Sequence, residues 1–219
     1  VVGSSPFTSS SHTVYDLVIH PNRTNIVYAA TNNGLYRSTN SGINFTQILS
    51  ASTSKDYFDE IEETESTLEG NSLLKARTIF EHFQLPCFAD DSGLEIDFLN
   101  GKPGVFSARY AGEPKNDEEN IKKVLEELKD TEQRQARFRT VITLVAKNQT
   151  RAFEGIIHGT ITKSQRGTDG FGYDPIFQPE NQTVTFAEMT KSEKNNLSHR
   201  TLALQKMISF LTLNKITLQ

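Results

Sequence analysis

The chain changes its periodicity once, near residue 58, and that change limits what each part can fold into. Residues 1–57 contain no helical pattern. Val14–Ile19, Asn25–Ala30 and Gly34–Ser38 are short β-branched or aromatic runs, punctuated by His20-Pro21-Asn22, Thr31-Asn32-Asn33-Gly34 and Asn40-Ser41-Gly42. Such runs broken by Pro, Asn and Gly predict a β-meander. From Ser66 onward, long amphipathic segments alternate with strand-like ones. Two units are therefore expected, 1–57 and 58–219, within a length of 219 residues that suits one sizeable domain plus a fragment.

The second unit reads as α/β, a mixed β-sheet flanked by helices. Ser66-Thr67-Leu68-Glu69 predicts a capping box, followed by Leu73, Ala76, Phe80 and Phe83 as an apolar stripe. Asn116–Glu119 predicts a second helix start and Thr190–Glu193 a third, and Ser198 is placed to cap a fourth carrying Leu202, Met207, Ile208 and Leu211. Gly93–Leu99 alternates as a half-buried strand. Phe138–Val145 is almost wholly apolar or β-branched, as in a strand covered on both faces, and Phe153–Ile161 alternates again.

Composition narrows the function classes. A net charge of -4 lacks the basic excess of a nucleic-acid binder, and no apolar run reaches the roughly 20 residues that span a bilayer. Cys87 is the only cysteine, which excludes an intramolecular disulfide and favours a reducing, cytoplasmic setting. Val1–His12 lacks the basic start and apolar core of a signal peptide, and the opening Val1 reads as a fragment or processed product.

Three clusters carry chemistry. Glu62-Glu63-Thr64 precedes a helix and Asp90-Asp91-Ser92-Gly93 follows an apolar run. Carboxylates at a strand end suit Mg²⁺, which takes one or two of them plus substrate phosphates. Read alone, Glu62-Glu63 equally fits a solvated charge run that favours a helix start. The second cluster, Gly167-Thr168-Asp169-Gly170-Phe171-Gly172-Tyr173-Asp174-Pro175, combines close backbone approach with two aromatic faces. A plain glycine-rich turn explains its glycines but not its aromatic, acid and proline ending. The third, Lys194-Asn195-Asn196-Leu197-Ser198-His199-Arg200, sets cations and amides at a helix junction, where phosphate or a base carbonyl would be welcome. Ser198-His199-Arg200 by itself also fits a cap and a solvated face.

In this order and spacing, these clusters together with Pro103–Gly112 resemble the inosine-triphosphate pyrophosphatase family over residues 60–212. The resemblance implies Mg²⁺-dependent hydrolysis of non-standard purine nucleoside triphosphates (ITP, dITP, XTP) to monophosphate and pyrophosphate, by a homodimer. It implies Glu63 and Asp91 as metal-binding acids, Asp91 as the group that activates water and Asp90 as a supporting acid. Phe171 and Tyr173 match aromatics around the base. Gly172, Asp174, Ser198, His199 and Arg200 match its polar surroundings, and Lys194 and Ser92 match residues at the substrate. Family members begin with a strand and a Thr/Ser-x-Asn-x-x-Lys loop. Here Thr31 and Asn33 fit, residues 25–33 are placed to supply that first strand, and Tyr36 stands at the lysine position.

Residues 14–45 are also similar to an Asp-box repeat of propeller proteins, with Asn40 for the usual Asp and Phe45 for the usual Trp. One such repeat cannot bury its own faces. The alternative reading is accordingly a chimera, catalytically weakened or inactive, that carries a propeller-type binding repeat.

Overall fold

The computed structural model describes residues 14–19, 25–31, 34–41, 43–50 and 61–213. The chain separates into two compact units, Val1–Glu60 and Ile61–Gln219.

In the first unit, β1 (Val14–Ile19), β2 (Val27–Thr31), β3 (Gly34–Ser38) and β4 (Thr46–Ser50) form an antiparallel meander in chain order. Ala29 pairs with Tyr36 and Val27 with Ser38, and these four residues share one buried face. The β3–β4 connection is closed by Asn40, whose Oδ1 accepts from Asn44 N at 2.9 Å and from Ser38 Oγ at 2.9 Å. Gly34–Phe45 is hairpin rather than helix. The expectation that residues 25–33 supply the first strand of the second unit's sheet is corrected: β2 pairs with β1 and β3 in a separate sheet. Both edges of β2 are thereby taken.

The second unit is α/β, a sheet of order β5-β6-β7-β8 flanked by helices, its described strands pairing antiparallel. The strands are β5 (Cys87–Ile96), β6 (Gln135–Ala146), β7 (Gln149–Ile161) and β8 (Phe177–Pro179). The predicted strand over 93–99 is corrected at its end, because Asp97–Leu99 turns as a 3-10 segment. Lys147 and Asn148, both exposed, are the whole turn between β6 and β7. As its composition predicts, β6 is buried continuously from Thr140 to Val145.

Helix α1 (Leu68–Phe83) covers one face and α4 (His199–Leu213) the other. The face of α1 shows in the contact between Ser72 Oγ and Thr143 Oγ1 at 2.7 Å. That of α4 shows where Ala203 and Met207 cluster with Ile142 and Leu144. Helix α4 comes close to the sheet at Gly155: a Cβ there would collide with His199 O and Ala203 N, so only glycine lets the first turn of α4 rest on β7. Helix α2 (Asp117–Glu127) contributes Ile121 and Val124 to the main core with Leu94, Ile96, Phe138, Phe177 and Phe186.

The cap of α1 differs from expectation. Thr67, not Ser66, is the N-cap, accepting from Gly70 N at 3.0 Å, and Glu69 instead binds Arg139 of β6. The buried face of α1 is Leu68, Asn71, Ser72 and Ala76, whereas Leu73, Phe80 and Phe83 are only partly covered. Among the described residues, no helix is long and apolar enough to cross a membrane.

Candidate active site

Strand geometry separates the two adjacent aspartates. Successive side chains of a strand point to opposite faces. Asp91 lies opposite Val141 and faces α1, whereas Asp90 lies opposite Ile142 and faces α4. Asp91 is buried at 8 % exposure. Asp90 is exposed and sits 3.5 Å from Arg200 Nε. Asp90 as a companion of Asp91 is therefore corrected: the two carboxylates serve different sides of one sheet.

On the α1 side, Lys75 Nζ donates to Glu63 Oε1 at 2.6 Å and to Asp91 Oδ1 at 3.4 Å. Asn71 Nδ2 donates to Asp91 Oδ2 at 3.2 Å, and its own Oδ1 accepts from Glu65 N at 3.0 Å. Asn71 and Lys75 are four residues apart, so one helix face delivers both. Arg109 Nη1 lies 3.6 Å from Glu63 Oε2. Burial pushes the Asp91 carboxyl above its ordinary range, Lys75 opposes the shift and the Glu63 charge adds to it. No group of three or more His, Cys, Asp or Glu positioned for a metal occurs among the described residues. Glu63 and Asp91 are a two-carboxylate set.

Arg109 belongs to a 3-10 segment, Gly104–Arg109, anchored by Ser107. Ser107 Oγ accepts from Leu94 N at 2.9 Å and donates to Gly104 O at 2.6 Å, fixing this loop against β5.

The second cluster lies at the α4 face. Phe171 is 64 % exposed, with Lys194 Nζ 4.6 Å and the Arg200 guanidinium 5.7 Å from its ring centroid. Asp174, itself buried, accepts from Phe171 N at 2.9 Å and from Lys194 Nζ. Gly170 has a φ of +85° and turns directly over Asp174 Oδ2, a place where a side chain would not fit. Gly172 N donates to Asp117 Oδ2 at 2.7 Å, tying the turn to the start of α2.

His199 is 7 % exposed, stacks on Phe138 at 4.9 Å, and its buried Nδ1 has no hydrogen-bond partner among the described residues. Its pKa is pushed down to about 3, first by burial and then by the charges of Arg200 and Lys194. Ser92 faces this side as well, with Oγ 2.7 Å from Thr140 Oγ1 and 3.4 Å from Asp90 Oδ2.

A model of the Ham1 family matches residues 26–210. The chain belongs to the Ham1 family. A dITP/XTP pyrophosphatase of Flavobacterium johnsoniae is 50 % identical over 158 residues, which are 72 % of this chain and 82 % of that one. That of Porphyromonas gingivalis is 51 % identical over 154 residues, 70 % of this chain and 79 % of the relative. Among solved structures, the Staphylococcus aureus Ham1 protein has a TM-score of 0.69 and 42 % identity, covering 71 % of this chain and 81 % of that one. A HAM1 protein from Coxiella burnetii has a TM-score of 0.68 and 45 % identity, covering 70 % and 81 %.

Within this Ham1 unit, two further site residues are held by the protein's own groups. Tyr173 is 4 % exposed and its hydroxyl donates to Ser107 O at 2.8 Å, so its ring packs in the core. Ser198 caps α4 as expected, its Oγ accepting from Thr201 N at 3.1 Å. Thr31 ends β2, and Asn33 lies outside the described residues. Sequence reasoning passed over Lys75. Its signal was the four-residue step from Asn71, which puts both on one face of the helix.

Proposed function

We propose that this chain hydrolyses non-standard purine nucleoside triphosphates, ITP, dITP and XTP, to monophosphate and pyrophosphate. The observation that carries the reading is the convergence of Glu63 and Asp91 with Lys75 and Arg109 on β5, the strand whose other face leads to Phe171 and Arg200. The dITP/XTP pyrophosphatase activity for which relatives about 50 % identical are named supports it.

The donor set fits a hard divalent ion, Mg²⁺, which takes few protein carboxylates and completes its shell with water and phosphate oxygens. Glu63 and Asp91 would hold it, and it would offset phosphate charge. Asp91, with a raised pKa and anchored by Asn71, accepts a proton from water directed at the α-phosphorus. Lys75 and Arg109 stabilise the departing pyrophosphate. On the other face, Phe171 stacks on the base and Lys194, His199 and Arg200 supply donors. A donor committed to O6 penalises adenine, which would leave a buried polar group unpaired.

The same reading takes the enzyme as a cytoplasmic homodimer, with residues 1–57 a separate β-rich segment. The family resemblance supports the dimer, and the intracellular supply of nucleotides supports the location. Turnover is reduced, because Tyr36 at the family's lysine position is buried and provides no cation. The experiment is pyrophosphate release from ITP, dITP, XTP and ATP with and without Mg²⁺. Metal-dependent release from the first three, well above ATP, is expected. Equal release from ATP refutes the base selection, and no release from any refutes the function.

A further inference from the structure

A cation already held against a carboxylate disfavours a second one at the same oxygens by like-charge repulsion. In Glu63 and Asp91 every oxygen faces a protein donor. Glu63 Oε1 has Lys75 Nζ at 2.6 Å and Oε2 has Arg109 Nη1 at 3.6 Å. Asp91 Oδ1 has Lys75 Nζ at 3.4 Å and Oδ2 has Asn71 Nδ2 at 3.2 Å. One ammonium therefore serves both of the acids that would hold a divalent ion.

Lys75 and Asn71 differ in how easily they leave. Asn71 is fully buried and pinned by Glu65 N, so its amide stays. Lys75 carries its charge on a flexible four-carbon stem with its side chain 21 % exposed, and it can swing. Arg109 is likewise reachable, at 26 %.

We propose that Lys75 is a built-in counter-cation that keeps divalent metal off the Glu63–Asp91 pair until a triphosphate arrives. This rests on the reading of the site as a triphosphate pyrophosphatase. Phosphate oxygens offer Lys75 a stronger anionic partner; when it turns to them, Arg109 follows and the carboxylates open. Free metal binds only to the fraction of molecules in which Lys75 has already left, so its apparent affinity is scaled down by that fraction. The metal enters with the nucleotide or after it, not before.

The test is Mn²⁺ binding to the nucleotide-free full chain by electron paramagnetic resonance. Calorimetry of α,β-imido-ITP binding without metal and with Mn²⁺ accompanies it. Lys75→Met should tighten free Mn²⁺ binding about tenfold, the scale one unit charge supports at close range, and weaken metal-free analogue binding by a similar factor. Arg109→Met frees Glu63 Oε2 while retaining Lys75, and should tighten Mn²⁺ binding by a smaller factor, about threefold. It keeps the question open to measurement if Lys75→Met does not fold. Lys122→Met, which removes an exposed cation paired with Glu119 on α2, should change neither quantity. Unchanged or weaker Mn²⁺ binding in the two site variants overturns the proposal, as does equal tightening in Lys122→Met. A wild-type chain that binds no analogue, with or without Mn²⁺, removes the pyrophosphatase reading and this inference with it. Analogue binding combined with Lys75-independent Mn²⁺ affinity removes this inference alone.

Discussion

Tyr173 donates its phenolic hydrogen to the carbonyl of Ser107 at 2.8 Å, and this contact joins the glycine-rich turn to the loop that presents Arg109. The hydroxyl is far from ionising, since burial raises its pKa. It acts as a fixed donor. Tyr173→Phe removes the bond while keeping the ring in the core, and Ser107 O retains a weaker donor in Asn120 Nδ2 at 3.4 Å. A loss of about 1 kcal/mol in urea denaturation is expected. A fall in kcat/KM larger than the stability loss can explain would mark Tyr173 as a positioning residue for the Arg109 loop.

The two aspartates should separate in kinetics as they do in space. Asp91→Asn removes the carboxylate proposed as proton acceptor and metal ligand, so pyrophosphate release from dITP should fall at least about a hundredfold with the fold intact. Asp90→Asn disturbs an exposed pair with Arg200 and should cost about tenfold or less. Equal losses would contradict the assignment of the two faces.

Arg200 lies over Phe171, and its effect should depend on the base. Arg200→Ala should lower kcat/KM for ITP more than for ATP, narrowing the ratio by about tenfold. Parallel loss on both substrates would make Arg200 a phosphate or packing residue.

His199 gives a pH signature. Its folded-state pKa of about 3 lies below the ordinary value of 6.5, so the neutral ring is the one the fold accepts. Between those values the unfolded chain binds a proton that the folded chain does not. Stability is therefore complete above about pH 6.5 and is lost as pH falls through that window, by up to a few kcal/mol. His199→Asn should flatten this part of the stability curve, measured by denaturation at pH 4.5 and 7. An unaltered slope would assign it to other groups.

Much of the second unit was legible because its elements announce themselves locally. Asn116 and Thr190 cap helices as their spacing predicts, and β6 is buried where its run is apolar. Lys75 was not legible: a lysine in an amphipathic helix reads as solvated, and only the packing of α1 on β5 turns it inward. Asp90 and Asp91 looked like one cluster, because adjacency in sequence conceals opposite orientation in a strand. Tyr173 read as a binding aromatic because the motif does not show which ring the core claims. The cap expected at Ser66 lies one residue further on, at Thr67, and Glu69 pairs with Arg139 instead.

Tyr36 illustrates the same limit in the first unit. The motif alignment makes Tyr36→Lys a repair that should raise turnover. In the structure Tyr36 is 9 % exposed and paired with Ala29 within the β1–β4 sheet. Tyr36→Lys should instead destabilise that unit by about 2 kcal/mol, read from its thermal or urea transition, and leave turnover no higher.

Because Asp90 and Asp91 are neighbours on one strand, the chemistry of this molecule depends on a parity. A single residue inserted between Cys87 and Asp90 would send Asp90 toward Lys75 and turn Asp91 to the α4 side. An even change would restore the alternation at the cost of shifted pairing. The two-residue turn at Lys147-Asn148 carries no such restriction, since both residues are exposed and lie beyond the last pair of the β6–β7 ladder. Insertions there lengthen the chain without altering which side of the sheet any functional group occupies. The molecule is thus tolerant of length at one end of β6 and intolerant of it in the strand alongside.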